Sequence, residues 1–372
     1  MATPHSCGLP EEIIIWEILI RLPPKSLLRC RAVCRVWRHA TSHRQFLLAH
    51  HARQPSLPIV FSSIHGNEIS NTIATLDHRA AVPQDQLQPI GPRDQIFLEA
   101  SCDGLLILYK YGTDAKHCFF VYNPTTRQHS PIRQLLRFNI MGMYPHRPTS
   151  EYRLLLQKRY MDSSQDQIGC CVFALGSDQP LRYIGWPEKA SEWFTVPVRM
   201  RDSLHWYPMY LSRQTEPVMV FDTVSESFRQ MRAPAIPTKA CMFEMDDTLG
   251  IYSCNTTLEI VNIWVLQNYL SEVWNLKYRV ALPIAEIREK FDDHDAYWNA
   301  NVASGNGDVL LLVSFNHWLF YVDTDGKLVA SFQGFYASRF RHKQTLVPHT
   351  FFTTLDVNDV RTLNLMSHPK AF

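Results

Sequence analysis

Cys30, Cys34, His39 and His43 are of the residue types that hold zinc. Their spacing, C-x3-C-x4-H-x3-H, is far shorter in the middle than a finger allows. On one continuous helix, at about 100° per residue, Cys30 and Cys34 share a face while His39 lies about 180° from Cys30. The four cannot meet on one ion unless the chain breaks between them, so Cys30 and Cys34 read as small core residues. Cys170 and Cys171 are adjacent, and in a strand they face opposite ways, which does not make a redox pair. Asp323-Thr324-Asp325-Gly326 lacks the spacing and the closing Glu of a calcium loop, and hairpin turn chemistry accounts for it. Asp292-Asp293-His294-Asp295 reads as a solvated acidic loop. The sequence holds no G-x-S-x-G, no Walker A and no H-E-x-x-H. Catalytic groups can be distant in sequence, so an enzyme is not excluded on this ground. The expectation is a chain with no catalytic residues, no metal and no cofactor.

The elements that would position side chains fall into two parts. Leu9-Pro10-Glu11-Glu12 opens a helix: proline suits the first turn, and two carboxylates face the positive end of the dipole. Ile15, Ile18, Leu19 and Leu22 then fall at i, i+3, i+4 and i+7 on one apolar face. Pro23-Pro24 ends that helix. A second amphipathic stretch begins near Lys25 and carries Leu27, Leu28, Val33, Val36 and Trp37. A third, from Phe46-Leu47-Leu48, runs to about Arg53 and ends before Pro55. Three short helices bury little surface, so they need a partner or the following domain. Between Glu17 and Glu68 there is no acidic residue, while Arg21, Lys25, Arg29, Arg31, Arg35, Arg38, Arg44 and Arg53 are basic. The plain reading is a solvated helix face. The sharper one is a surface steered toward an acidic protein.

From Pro55 onward the pattern changes to short β-branched and aromatic runs divided by Gly, Pro, Asn and Asp. Phe119-Phe120-Val121-Tyr122 leads into Asn123-Pro124-Thr125-Thr126. Val218-Met219-Val220-Phe221 leads into Asp222-Thr223-Val224-Ser225. Leu319-Phe320-Tyr321-Val322 leads into Asp323-Thr324-Asp325-Gly326. Each predicts strand, turn, strand. Further hairpins are expected at 171–175 with 181–186, at 260–266 with 273–280, and at 57–64 with 72–76. Residues 100–108, 202–207, 247–251 and 307–312 supply partner strands. The hairpins recur at roughly 50 residues, the period of kelch-like propeller blades. Five or six blades are expected, in a ring either complete or open, with 144–166 and 285–300 as loops or a short helix. Trp193, Phe194, Trp206, Tyr207 and Tyr210 are candidates for contacting a target, but burial as blade core is the favoured reading for each.

The 372 residues suit a small module followed by a large β domain, and 46% hydrophobic with 12% aromatic residues suffices for a large core. A net charge of +2 is too mild for a nucleic-acid surface. The first residues carry no secretory pattern, and no apolar run approaches a membrane span. Nine scattered Cys without an export signal read as reduced thiols, so a cytoplasmic or nuclear location is expected.

Leu9-Pro10-Glu11-Glu12, Ile18-Leu19, Arg21-Leu22-Pro23, Lys25-Ser26-Leu27 and Arg31-Ala32-Val33-Cys34-Arg35-Val36-Trp37-Arg38 together resemble an F-box. The later stretch resembles the F-box-associated domain of plant F-box proteins. That resemblance rests on Leu106-Ile107-Leu108, Tyr122-Asn123-Pro124-Thr125-Thr126-Arg127, Phe221-Asp222-Thr223 with Phe228-Arg229, and Ile263-Trp264-Val265-Leu266 with Val273-Trp274. The kelch double glycine is missing.

The resemblance implies an F-box helical module over 9–53 and a mainly-β, propeller-like domain over 55–366, and residues 1–8 are expected to be a disordered N-terminus. It further implies docking on a Skp-type adaptor, and through it on cullin, by Leu9, Pro10, Leu22, Pro23, Leu27, Leu28, Val33, Cys34 and Trp37. The β domain would then hold a protein target, with no nucleic acid and no membrane involved. The rival expectations are a propeller enzyme or small-ligand binder with a helical cap, and an F-box protein acting outside ubiquitination. Titratable groups converging on a central channel would favour the propeller enzyme or small-ligand binder.

Overall fold

A computed structural model describes residues 9–62, 72–80, 86–91, 96–110, 118–132, 135, 137–158, 169–185, 196–208, 217–236, 240–245, 247–255, 257–291, 298–305 and 308–352. Trp193, Phe194, Tyr210, the acidic run at 292–295 and the N-terminal residues 1–8 lie outside them.

The first helix, α1 (Glu11–Ile13), continues as a π turn over Ile14–Ile18 and a tight 3-10 turn over Leu19–Arg21. The change of winding alters which side chains face inward. Ile15, Leu19 and Ile20 are buried, whereas Ile18, expected on the same apolar face, turns to solvent. Leu22 is extended before Pro23, as the prolines require. The second amphipathic stretch is two helices, α2 (Pro24–Cys30) and α3 (Arg35–Ser42). Cys34 sits at the break in extended backbone, and its Sγ accepts the Trp37 amide at 3.4 Å. Cysteine is not among the usual N-cap residues, which hides this break in the sequence. The chain between Cys30 and Cys34 is therefore not one helix, and the shared face expected for them does not exist. Helix α4 (Arg44–Arg53) completes the module.

Among the described residues, 24 strands form six four-stranded antiparallel sheets, the blades of a propeller. β1 (Ser56–Ser62), β2 (Thr72–Leu76) and β3 (Leu87–Pro89) begin the first blade. β4 (Ile96–Cys102), β5 (Leu105–Lys110), β6 (Cys118–Asn123) and β7 (Gln128–Ile132) make the second. β8 (Phe138–His146), β9 (Glu151–Lys158), β10 (Cys170–Ala174) and β11 (Arg182–Gly185) make the third. The fourth contains β12 (Val198–Met200), β13 (Ser203–Trp206), β14 (Val218–Asp222) and β15 (Ser227–Met231). The fifth contains β16 (Ala240–Met245), β17 (Thr248–Asn255), β18 (Ile260–Asn268) and β19 (Val273–Ala281). Helix α5 (Ile284–Phe291) leads to the sixth, β20 (Trp298–Gly305), β21 (Asp308–Phe315), β22 (Trp318–Val322) and β23 (Leu328–Gln333). The last strand, β24 (Phe335–Lys343), returns to pair with β1, from Ser56 opposite Lys343 to Ser62 opposite Phe335. The ring is complete, with six blades.

Two readings change. Residues 100–108 are not one partner strand but the β4–β5 hairpin, turning at Asp103-Gly104, both with positive φ. A Cβ on Gly104 would collide with the Lys343 carbonyl, so this turn is pressed against the ring closure. Residues 144–166 hold the end of β8 and all of β9, whereas 285–300 hold most of the short helix α5, as expected, before the start of β20.

The hairpin turns named from sequence share one device. Asn123 Oδ1 accepts the amides of Thr125 (3.0 Å) and Thr126 (3.4 Å), and Asp222 Oδ1 those of Val224 (2.9 Å) and Ser225 (2.7 Å). Asp323 and Asn268 act likewise in the sixth and fifth blades. These Asx turns set each third strand against its fourth.

Between blades the cores are apolar, with Trp206, Tyr207 and Tyr144 fully buried. Several histidines share that interior. Burial pushes His205, His342 and His349 down to about 4, and lowers His50 in the helical module as well. Each ring takes a proton more readily in the unfolded chain, so its stabilisation is complete above about pH 6.5 and is lost as the pH falls toward 4. His205 and His342 each account for on the order of 3 kcal/mol over that interval. Urea denaturation between pH 7 and pH 4.5 is expected to show stability falling with pH, with a slope that reaches more than two protons taken up on unfolding. A flat profile would rule these rings out as the acid-sensitive groups.

Candidate functional site

The helical module presents its conspicuous apolar residues outward. Leu9 is 59% exposed, Leu28 43% and Val33 67%, and Pro10 and Pro23 are also exposed. Leu22, Cys34 and Trp37 are half-buried. Leu27 is fully buried beneath them and supports the face without reaching its surface. Ile13, Trp16, Ile18, Val36 and Leu48 are exposed large apolar residues in the same module that sequence reasoning did not assign to the face. The irregular winding after Ile13 is what exposes Ile18, and helical periodicity gave no sign of it.

Polar contacts fix the face in place. His50 Nε2 lies 2.8 Å from the Leu22 carbonyl, and Gln54 Nε2 donates to the same oxygen at 3.4 Å. Both residues belong to the end of α4 or just beyond it, so the Leu22-Pro23 corner is tied to the far end of the module. Arg31 donates to the Thr41 carbonyl at 2.6 Å and to its hydroxyl at 3.1 Å, clamping the end of α2 to the end of α3. Arg31 is thus a structural member of the basic run. Arg21 pairs with Glu17 at 2.6 Å, while Lys25, Arg29, Arg35, Arg38, Arg44 and Arg53 stand exposed.

The module does not close its own core. Leu346 and Val347, just after β24, pack with Ile15, Leu19, Ile20, Leu27, Phe46 and Leu47. His51 Nδ1 lies 2.9 Å from the Gln344 carbonyl, and Lys343 Nζ donates to the Ala52 carbonyl at 2.8 Å. Farther on, Phe351 and Phe352 enter the core between the second and third blades. The segment that follows ring closure therefore bolts the module to the propeller.

A second feature is a cavity of about 250 Å³ where the six inner strands converge. Titratable side chains line it: Glu99 and Asp103 from the second blade, Arg199 from β12, Glu244 from β16, and Arg339, Arg341 and Lys343 from β24. Asp103 pairs with Arg199 and accepts the Tyr152 hydroxyl at 3.1 Å. Burial opposes its ionisation, but His51, Arg199 and Tyr152 outweigh that and hold its carboxyl well below the usual range. No group of three or more His, Cys, Asp or Glu with the arrangement of a metal site occurs among the described residues.

The chain is thus a small helical module packed on a closed six-bladed propeller. Residues 46–354 match the F-box associated beta propeller domain, and residues 6–52 match the F-box-like domain. The chain belongs to the F-box associated β-propeller family and is an F-box substrate-recognition protein, a class that is in general non-catalytic.

Among its relatives, the Arabidopsis thaliana F-box protein At5g49610 is 22% identical over 299 residues, covering 73% of this chain and 79% of that one. The Arabidopsis thaliana F-box protein At3g17710 is 28% identical over 202 residues, covering 51% and 53%. Among solved structures, a chain of the nidogen/laminin complex aligns over 76% of this chain and 96% of its own, at 11% identity and a TM-score of 0.41. A luciferin-regenerating enzyme aligns over 61% and 72%, at 11% identity and a TM-score of 0.37. At these scores the likeness adds nothing to the strand pairing described above.

Proposed function

We propose that this protein is the substrate receptor of a Skp–cullin–F-box ubiquitin ligase, working in the cytoplasm or nucleus. The observation that carries the reading is the outward apolar face of the helical module, Leu9, Pro10, Pro23, Leu28 and Val33, set on a rigid propeller. Apolar residues of a small, irregular module gain nothing from exposure, and several of them exposed on one such module point to a protein interface. The Skp-type adaptor covers this face, and cullin is reached through it. Leu22, Cys34 and Trp37 back the contact from half-buried positions, and Leu27 shapes it from within. The exposed basic residues around the face favour an adaptor of acidic surface and speed the encounter.

The propeller holds the target, and catalysis is by proximity: a lysine of the target is kept at high effective concentration near the ubiquitin-charged enzyme. A rigid junction serves that role, because a wandering module would spread the target over a larger volume.

Leu28 and Val33 supply the test because neither fills the core. Leu28→Glu with Val33→Glu is expected to weaken capture of a purified Skp-type adaptor by about a hundredfold, since two carboxylates would be stripped of water in the contact. The melting temperature should hold. Undiminished capture by the folded double variant would refute the assignment of this face.

A further inference from the structure

We propose that the outer edge of the fifth blade, strand β19, is a docking edge for an extended acidic segment of a partner protein. It rests on the reading that the propeller holds a protein target.

Each blade ends in an outer strand, and most of these edges are blunted. β3 has three residues and ends in Pro89, β7 has five and contains Pro131, and β11 has four. Shortness and proline keep an edge from accepting another strand. β15 has five residues, and the β18–β19 turn lies against it. There Arg229 donates to the Tyr269 hydroxyl at 2.9 Å, and Trp274 Nε1 donates to the Arg232 carbonyl at 2.9 Å. β23 has six residues. β19 has nine and no proline, and β18 is its one sheet partner among the described residues. A bulge at Lys277, where Ile263 pairs with Tyr278 and Trp264 with Leu276, divides it into 273–276 and 278–281. The open side of such a strand offers N–H and C=O groups as a template for an added strand.

The side chains along this edge are not those of an edge that is only protected. Leu270 in the turn is 90% exposed, Val273 44% and Leu276 51%. Leu276 stands directly opposite the half-buried Trp264, so an apolar cross-strand pair borders the edge. Protection alone calls for charge or proline at these places. The turn is also held in shape. Asn268 Oδ1 accepts the amides of Leu270 and Ser271, and the Arg232 amide donates to Glu272 at 2.9 Å. An incoming strand therefore meets an edge that is already ordered, which lowers the cost of binding.

Charge selects the occupant. From residue 260 to residue 285 the sequence holds one carboxylate, Glu272, beside Lys277 and Arg279. Glu272 lies in the turn, 3.7 Å from both Arg229 and Arg232. Lys277 and Arg279 are exposed, with the Lys277 ammonium 5.3 Å from the centre of the Tyr278 ring. A second copy of this chain would bring one cationic edge against another, which disfavours pairing of two propellers. An acidic strand is attracted instead. Side chains of an added strand alternate between faces, so its carboxylates alternate with apolar residues.

The experiment uses the full chain and fluorescent peptides of about twelve residues. One alternates valine with aspartate, one has lysine in place of aspartate, and one has proline in place of valine. The valine–aspartate peptide is expected to bind saturably by anisotropy, the lysine peptide at least about tenfold more weakly, and the proline peptide not measurably. Amide exchange should slow on binding across 273–281 and not in the other outer strands. Lys277→Glu with Arg279→Glu should reverse the preference between the aspartate and lysine peptides. Both side chains are exposed, so the fold is not at stake. The proposal is overturned if the aspartate and lysine peptides bind alike, if charge reversal leaves their order unchanged, or if exchange at 273–281 does not slow. Adaptor capture is measured on the same chains and should be equal in both. Its failure in the parent chain would strike the ligase reading alone, because the peptides report on the edge without the adaptor.

Discussion

A chain carrying Leu346→Asp and Val347→Asp is expected to keep its propeller and lose its N-terminal module. Both side chains sit in one apolar cluster with Ile15, Leu19, Ile20, Leu27, Phe46 and Leu47. Stranding carboxylates there costs several kcal/mol, because a buried charge without a partner loses its hydration for nothing. A module of this size has little stability of its own to set against that cost. The hydrogen bonds of His51 and Lys343 to the same segment would not suffice, since each contributes only about 1 kcal/mol net. Limited proteolysis is the direct measurement. Residues 9–53 should be digested rapidly while the rest persists as a resistant fragment, and capture of the adaptor should fail with them. If the module resists protease as well as in the parent chain, the C-terminal return is not what holds it.

That dependence was foreseeable only in outline. Three short helices with so little core imply an outside support, and the sequence places a large domain next to them. It does not reveal that the support comes from about 300 residues later, because Leu346 and Val347 carry no local pattern that marks them as helix partners. The closure of the ring is hidden for the same reason. Ser56 and Lys343 pair across nearly the whole chain, and nothing in either strand alone specifies the other. Hairpins were easier, since their register is set by a turn a few residues long. Asn123, Asp222 and Asp323 announce those turns by side chains that bond the next amides.

The exposed apolar residues of the module were legible to a different degree. The prolines, Leu28 and Val33 are where a contiguous motif places them. Ile18 was misjudged because a π turn followed by a 3-10 turn breaks the regular 3.6-residue repeat on which periodicity relies. The charged lining of the channel was not read from the sequence. The alternation Arg339, Arg341, Lys343 stands in the sequence, but its direction follows only once β24 is known to be an innermost strand.

Replacing Glu226 with Ala is expected to cost about 3–5 kcal/mol, by loosening one blade from the next. Glu226 lies in the β14–β15 turn of the fourth blade, buried, and reaches back to the third. Its Oε1 accepts the Tyr144 hydroxyl at 2.6 Å and pairs with Arg153 at 2.8 Å, and its other oxygen meets Arg182. Burial pushes the Tyr144 phenol up, so it stays protonated and remains a donor. With Ala at 226, Arg153 keeps Glu151 at 2.9 Å but loses its buried counter-charge, and Tyr144 loses its acceptor. Arg182 matters less, being more than half exposed and able to turn to water.

Two further variants separate the clamp from the backbone it sits on. Glu226 has a φ of 50°, which a residue other than glycine adopts at some cost. Glu226→Gly should therefore be less damaging than Glu226→Ala by up to about 1 kcal/mol, although it removes the same carboxylate. Arg153→Met together with Glu226→Leu removes both charges, and should recover much of the loss because nothing charged remains stranded. Urea denaturation of the four chains reads all three comparisons. A cost below about 1 kcal/mol for Glu226→Ala would mean that apolar packing around Trp206 and Phe221 alone holds the third blade to the fourth.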